Sequence, residues 1–405
     1  PPLHGLFILK LLSWNDKKPD REKDLEDLIQ IVDNYWEFVE DEAYEQHLDL
    51  FDEDDFDVSE EIEQLTPEDL EDIEIEEGMT VNELVREFYK SGGFTAKDLA
   101  IAVDIFEEMV KDEECTVFLS FPACIIATGI RGVIRELVKR RLVDVLITTC
   151  GTLDHDLARI WKDYYHGSFL LDDTELYKKG THRIGNVLIP KESYGIILEE
   201  KLQPIFEDIY KEKRWLSTKE LIWEVGKRIE NEKNAYSSIL YWCYKNKIPI
   251  FVPGITDGAF GSQLWIFHQK HRDFIVDVLK DEDELSEIVF NAKRTGALII
   301  GGGISKHHTI WWNQFKDGLD YVIYITTAVE WDGSLSGARV REAISWGKVS
   351  EKARSANVYG DATVLLPIIV ASLMERIRCN LSLIHISEPT RHLYTSYAVF
   401  CLKKK

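Results

Sequence analysis

Short apolar runs alternate with amphipathic stretches along most of the chain, from residue 78 onward. Apolar runs of this length are typical of strands buried on both faces of a parallel sheet, whereas apolar positions three and four apart indicate helices. The pattern predicts strands at 115–121, 143–150, 248–253, 297–300 and 321–326, and helices at 95–111, 130–141 and 217–231. Alternation of this kind predicts an α/β fold with a doubly wound, mostly parallel sheet and flanking helices.

Small and polar residues stand where several of these strands are predicted to end, at 148–151, 256–258, 301–303 and 326–328. Ligands of doubly wound sheets bind beyond the carboxyl ends of the strands, and small residues there allow close approach. Together these ends favour a nucleotide site, although glycine and threonine also end strands for turn geometry alone. The G-x-G-x-x-G sequence that follows the first strand of ordinary dehydrogenase modules is absent.

Charge is distributed unevenly along the 405 residues, whose formal net charge is −24. Residues 20–77 carry 27 acidic and two basic side chains, so the rest of the chain is nearly neutral. The acidic segment argues against a nucleic-acid partner because it repels phosphate. No apolar run approaches the roughly 20 residues that span a bilayer, and the six cysteines are scattered without metal-ligand spacing. We therefore expect a cytoplasmic protein with neither a membrane segment nor a metal site.

The chain divides into three parts by composition. Residues 1–65 form an acidic extension that is expected to be disordered or helical, either as a solvated appendage or as a partner-binding segment. Residues 66–380 are expected to form the main domain. Residues 381–391, LSLIHISEPTR, resemble the translation of a sequencing adaptor. Residues 381–405 are therefore expected to be an adaptor-derived tail.

Reactive side chains concentrate in three segments, KHH at 306–308, EWDGS at 330–334 and EAISWGK at 342–348. A lysine attacks imines only when it is neutral, and an aromatic wall such as Trp346 would disfavour the charge on Lys348. His307 or His308 could act as an acid or base near neutral pH. Carboxylates and aromatic faces together suit a polyamine. Taken singly, a surface lysine beside a core tryptophan and a structural histidine remain open alternatives.

Eight longer motifs resemble deoxyhypusine synthase in order and spacing, over about residues 66–378. They are SGGFTAKDLA (91–100), ATGIRGVIREL (127–137), VDVLITTCGTLDHDL (143–157), RIGNVLIP (183–190), TDGAFGS (256–262), GGGISKHH (301–308), EWDGSLSGARVREAISWGK (330–348) and VYGDA (358–362). The resemblance implies a Rossmann-like fold and a homotetramer with active sites between paired subunits. It also implies NAD as cofactor, spermidine as donor and the hypusine-containing translation factor as acceptor.

The resemblance also implies the roles of individual residues. Lys348 would form the imine intermediate, and His307 would be its catalytic neighbour. The implied cofactor-binding residues are Ala123, Cys124, Ile125, Ile126, Ala127, Thr149, Cys150, Gly151, His155, Asp257, Gly302, Thr327, Ala328, Asp361 and Ala362. The implied substrate-binding residues are Asp154, His155, Ser262, His307, Gly333, Ser334, Leu335, Glu342, Trp346 and Lys348.

Five positions depart from the pattern of animal members of that family. Leu335 and Ser262 stand in place of aspartates, Cys124 in place of an amide, His155 in place of a carboxylate and Trp311 in place of a small polar residue. Fewer channel carboxylates mean a weaker attraction for a trication. Two alternatives stay open: a homospermidine synthase-like enzyme that transfers the group to a free diamine, and a non-catalytic NAD-binding paralogue subunit.

Overall fold

The computed structural model describes residues 69–381, and its centre is a six-stranded parallel sheet. In spatial order the strands run β11, β10, β9, β1, β2 and β7. Their bounds are Cys115–Ser120 (β1), Val145–Ile147 (β2), Ile250–Phe251 (β7), Arg294–Ile300 (β9), Leu319–Thr326 (β10) and Val349–Tyr359 (β11).

The order of the strands reverses beside β1. From β1 the chain adds β2 and β7 on one side, then returns to pair β9 with the other side of β1 and continues outward through β10 and β11. In this parallel arrangement Phe118 of β1 is paired with Val145 of β2 on one side and with Ala297 of β9 on the other. This is the doubly wound, Rossmann-like arrangement, so the predicted fold class is confirmed. Ligands of such sheets bind in the crevice at the reversal point, here between β1 and β9.

Thirteen α-helices and two small sheets surround the central sheet within residues 69–381. An antiparallel sheet contains β3 (Tyr165–His166), β5 (Val187–Pro190) and β4 (Thr181–Ile184), and β6 (Trp215–Leu216) pairs with β8 (Ile275–Val276). The helices are α1 (Val81–Ser91), α2 (Phe94–Lys111), α3 (Arg131–Lys139), α4 (Cys150–Trp161), α5 (Asp173–Lys178), α6 (Gly195–Glu212), α7 (Thr218–Arg228), α8 (Ile239–Asn246), α9 (Ala259–Lys270), α10 (Leu279–Asn291), α11 (Gly303–Asn313), α12 (Val340–Ser345) and α13 (Ala362–Leu381).

The two faces of the sheet bury separate hydrophobic clusters. Val117 and Leu119 of β1 point into the larger cluster, and Phe118 between them points into the smaller one. Alternate side chains of a strand point to opposite faces, so a strand covered on both faces needs an unbroken apolar run. Every residue of β1 is indeed buried, which explains why the sequence pattern located this strand well.

The predicted elements were correct in type but not always in extent. The strand predicted at 143–150 is only Val145–Ile147, because Cys150 already begins α4. The edge strand β11 was missed, since Ser350, Glu351 and Lys352 interrupt its apolar pattern. The predicted helix at 130–141 ends at Lys139. The predicted acidic extension, and the predicted tail beyond residue 381, lie outside the described residues. Within residues 69–381, no helix is both long and apolar enough to cross a membrane.

Candidate active site

The implied cofactor residues lie directly after strands of the central sheet. Ala123–Ala127 form a short 3-10 helix after β1, and Thr149, Cys150 and Gly151 begin α4 after β2. The backbone N–H of Ala123 donates to Thr149 Oγ1 at 3.1 Å. A Cβ on Gly151 would lie only 2.9 Å from Ala123 Cβ, so a larger residue would push the two segments apart. The structure thus brings together the ends of β1 and β2.

The ends of β9, β10 and β11 complete this edge of the sheet. Gly301 N–H donates to Ile325 O at 2.8 Å, and Gly360 N–H donates to Thr326 O at 2.9 Å. These bonds align the turn containing Gly302, the turn at Thr327 and Ala328, and the start of α13 at Asp361 and Ala362. Gly301 also lies close to Pro122 after β1: a Cβ added at Gly301 would be 3.5 Å from the proline ring. The reversal point is therefore lined by small residues from both halves of the sheet.

Asp154 on α4 is fully buried and holds the start of α9. Its carboxylate accepts hydrogen bonds from the backbone N–H groups of Ala259 and Phe260 at 2.9 and 2.6 Å, and from the Tyr194 hydroxyl at 2.7 Å. Burial raises the pKa of Asp154, and these three donors oppose that rise. The arrangement positions the turn with Asp257 and Gly258 beside the end of β2. Its implied contact with a substrate stays a prediction.

His155 lies beside Asp154 in an aromatic pocket. Its Nδ1 is 2.9 Å from the Tyr164 hydroxyl, and its ring centroid is 5.3 Å from that of Tyr194. Burial, reinforced by the charge of Arg159, lowers the pKa of His155 to about 4. The imidazole is therefore neutral near pH 7, where a carboxylate at this position would be charged. Tyr164 and Tyr194 were not foreseen from the sequence, since neither falls near the reactive segments.

A second group of side chains surrounds Lys348. Its amine nitrogen lies 4.9 Å from the centre of the Trp346 ring and 5.7 Å from that of Trp311. The His307 ring stacks on Trp311 at 5.6 Å. Burial lowers the pKa of His307, as do the positive charges of Lys348 and His308. The predicted grouping of His307, Trp346 and Lys348 is thus observed, and His307 is the histidine that faces the lysine.

His308 points elsewhere, as the helical geometry of α11 requires. Its Nε2 is 3.2 Å from Glu282 Oε1 on α10, and the same carboxylate accepts a hydrogen bond from Trp312 Nε1. Adjacent residues on a helix are turned by about 100° from each other, so His307 and His308 cannot share one face. His307 is therefore the histidine on the side of Trp311 and Lys348, and a role as acid or base stays a prediction.

Lys306 anchors the loop that contains most of the implied substrate residues. It is 1 % exposed, and its amine donates to Leu335 O at 2.7 Å and to Ala338 O at 3.0 Å. The amine also lies 3.8 Å from the centre of the Tyr324 ring. Burial lowers the pKa of Lys306 to about 8, and the negative charge of Glu342 opposes this. Lys306 lies in one of the reactive segments of the sequence, but nothing in the neighbouring residues indicates that its side chain points inward.

The remaining implied substrate residues differ in their surroundings. Gly333, Ser334 and Glu342 are exposed, whereas the Leu335 side chain is half-buried against the smaller hydrophobic cluster. Ser262 is exposed on α9, and its hydroxyl donates to Gly258 O at 3.0 Å. A Cβ on Gly302 would lie 2.6 Å from Ser336 N, so this loop packs tightly against the glycine turn before α11.

The family of this chain follows from its similarity to known proteins. A family model described as deoxyhypusine synthase matches residues 83–373. The chain belongs to the deoxyhypusine synthase family. Its relatives include a "probable deoxyhypusine synthase" from Picrophilus torridus, 59% identical over 312 residues that cover 77% of this chain and 99% of the relative. Another, of the same name, from Thermoplasma acidophilum is 56% identical and covers 75% of this chain and 96% of the relative.

The solved structures support the same fold. A candidate deoxyhypusine synthase from Entamoeba histolytica superposes with a TM-score of 0.52 at 20% identity, covering 76% of this chain and 97% of that one. At this identity the likeness concerns the fold alone. Deoxyhypusine synthases are transferases, so the prediction that this chain is a transferase of that family is confirmed.

The neutral His155 predicts a pH dependence of stability. In the unfolded chain the imidazole takes up a proton near pH 6.5, but in the folded protein it does so only near pH 4. The neutral imidazole therefore contributes fully to the free energy of unfolding above pH 6.5. About 3 kcal/mol of this contribution is lost as the pH falls to 4. Urea unfolding of the wild type and His155→Gln at pH 7 and pH 4 measures this difference.

The amide of glutamine does not titrate, so the His155→Gln protein should lose about 3 kcal/mol less stability on acidification than the wild type. His182→Gln, which changes an exposed histidine, should behave as the wild type does. Equal losses in all three proteins would contradict the buried, neutral state of His155.

Proposed function

We propose that this chain is a deoxyhypusine synthase that transfers the 4-aminobutyl group of spermidine to a lysine of the hypusine-containing translation factor. The observation that carries the proposal is that two indole rings lie within 6 Å of the Lys348 amine, with His307 stacked on one of them. A buried amine with an adjacent imidazole is suited to imine exchange, because the amine attacks and the imidazole can accept its proton. Membership of the family supports the same reaction.

We also propose NAD as the cofactor, because the residues at the sheet edge fit a dinucleotide. Gly303 has open space where a Cβ would lie, and the first turns of α4 and α11 have no side-chain cap, so their N–H groups are available to phosphates. When bound, NAD would accept a hydride from the donor and return it at the end of the turnover.

The residues of the chain would then perform the group transfer. Lys348 Nζ adds to the carbon–nitrogen double bond of the oxidised donor, and diaminopropane leaves as the amine product. His307 holds or releases the proton that moves between the entering and leaving amines. The amine of the acceptor lysine next adds to the same carbon and displaces Lys348, which frees the Lys348 amine and leaves an imine on the acceptor to be reduced.

The site is also proposed to lie between subunits of a homotetramer in the cytoplasm. Large apolar side chains are exposed on the single chain, among them Phe169 (69 %), Leu170 (94 %), Trp265 (63 %) and Trp331 (82 %). Exposed apolar area on this scale is typical of surfaces that contact another subunit.

A labelling experiment tests the proposed reaction. The full chain is incubated with NAD, spermidine labelled in its aminobutyl part, and either the translation factor or a free diamine. Label on a lysine of the translation factor supports the proposal. Label only on the diamine would indicate the homospermidine synthase-like reaction, and no transfer to either acceptor would reject the proposed catalysis.

Glu342 is expected to contribute to recognition of the donor. It is exposed on α12, and it lies near enough to Lys306 and Tyr324 for its negative charge to act toward raising the pKa of both. Glu342→Gln should raise the KM for spermidine by about tenfold, because a charged hydrogen bond is worth about 1.5 kcal/mol or more. The KM for NAD should stay within about twofold. Glu351→Gln on β11 serves as the control, and an unchanged spermidine KM in Glu342→Gln would reject this role.

A further inference from the structure

Two tryptophan rings border the route to the Lys348 amine. The Lys348 residue is 7 % exposed, whereas Trp346 and Trp311 are 65 % and 42 % exposed. Both ring centres lie within 6 Å of the amine nitrogen. A molecule that reaches this nearly buried amine from solvent therefore passes along exposed aromatic surface.

The position of Trp311 is set by its own helix. Residues four apart on a helix share one face, as His307 and Trp311 do on α11, and Phe315 follows in the 3-10 turn directly after this helix. His307 stacks on the Trp311 ring at an interplanar angle of 22°, and Phe315 meets it edge-on at a centroid distance of 5.9 Å. The indole is thus held from both sides, and its orientation toward Lys348 does not depend on a bound substrate.

Negative charge is sparse among the residues implied to contact the donor. Ser262 and Leu335 are uncharged, and Leu335 packs against the hydrophobic cluster. His155 is neutral near pH 7 because of its burial. Asp154 is fully buried and already accepts three hydrogen bonds within the chain. Among the implied donor-contacting residues, Glu342 is therefore the one exposed carboxylate, whereas two aromatic rings lie within 6 Å of the Lys348 amine.

The electron-rich face of an indole attracts ammonium groups, and the attraction grows when water is excluded. We propose that Trp311 is a specificity-determining residue that, with Trp346, recognises the cationic donor through aromatic faces in place of additional carboxylates. The inference rests on the proposed function, because it assigns Trp311 to recognition of the amine that reacts at Lys348. Trp311 would act on binding of the donor and not on binding of NAD.

Three substitutions test this role: Trp311→Phe, Trp311→Leu and Trp311→Asn. The imine on Lys348 is trapped with borohydride in the full chain, and its yield is measured against spermidine and, separately, against NAD. Trp311→Leu and Trp311→Asn should raise the half-saturating spermidine concentration by about five- to tenfold, and Trp311→Phe by no more than about threefold. The half-saturating NAD concentration should not change in any of them.

Trp215→Leu is the matched control. Trp215 is also an exposed tryptophan with a lysine amine over its ring, that of Lys280 at 5.4 Å, but it belongs to β6. Its replacement should leave spermidine dependence unchanged. Thermal melting of each variant checks that it is folded. Because Trp311 is partly exposed, its replacement should leave the fold intact.

Two outcomes would overturn the inference while the proposed function stands. One is a wild-type level of spermidine dependence in Trp311→Leu and Trp311→Asn. The other is an equal rise in Trp311→Phe and Trp311→Leu, which would mean that the volume of the side chain matters and not its aromatic face. If the wild-type chain forms no adduct with spermidine and NAD, the proposed function and this inference are both rejected.

Discussion

Lys348→Arg is expected to abolish aminobutyl transfer while the protein still folds and binds NAD. An arginine side chain stays protonated and delocalised, so it cannot attack an imine as a primary amine does. The fold should survive because the backbone of Lys348 is held independently of its side chain. Its N–H donates to Ala343 O at 3.0 Å, and its carbonyl accepts from Leu319 N at 3.1 Å. Turnover with labelled spermidine measures the loss, and NAD binding and thermal melting measure what remains.

Mass spectrometry after borohydride trapping locates the adduct. In the wild type it should lie on the peptide that contains Lys348, and it should be absent from Lys348→Arg and Lys348→Ala. Lys352→Arg replaces an exposed lysine of β11 and should trap as the wild type does. An adduct on another lysine, or an arginine variant with full activity, would show that the nucleophile has been misassigned.

Asp156→Ala is expected to destabilise the protein by about 3–5 kcal/mol, because it leaves a buried cation without its partner. The Asp156 carboxylate is fully buried and accepts from Arg131 Nε at 2.7 Å and from the Ser238 hydroxyl at 2.6 Å. It also accepts from the backbone N–H groups of Ile239 and Leu240 at the start of α8. One side chain therefore joins α3, α4 and α8. Urea unfolding at pH 7 gives the change in the free energy of unfolding.

Asp173→Ala is the comparison variant, because it breaks an exposed ion pair and not a buried one. Asp173 pairs with Arg183 at 2.7 Å, but its side chain is 66% exposed, and exposed pairs contribute about 1 kcal/mol or less. A loss of stability in Asp156→Ala no larger than that in Asp173→Ala would show that the buried network is not needed for the fold.

The sequence located the centre of the sheet more reliably than its edge. β1, β9 and β10 are long apolar runs because both of their faces are covered, and periodicity detects such runs directly. β11 pairs with β10 alone, and its Glu351, Lys352 and Arg354 are exposed. A strand with solvent on part of one face has no continuous apolar run, so the pattern could not reveal it.

The grouping of the reactive segments was predictable, but their geometry was not. The motifs placed His307, Trp346 and Lys348 together, and the structure agrees. That Trp311 reaches the same amine depends on how α11 packs against the segment after α12, which local sequence does not encode. The inward direction of Lys306 likewise depends on tertiary contacts with the loop at Leu335.

The strand at the centre of the sheet is also the first of its strands to be synthesised. β1 can pair with β2 soon afterwards, but its other neighbour, β9, begins only at Arg294, after β7 and the seven α-helices α4 to α10. During synthesis on a ribosome, the edge of β1 that pairs with β9 therefore stays unpaired until the chain has emerged as far as residue 300. Pairings so distant in sequence carry a large loop-closure cost before they stabilise the chain. The crevice between β1 and β9 consequently forms late in folding. The unpaired edge of β1 is where misassociation of nascent chains would begin.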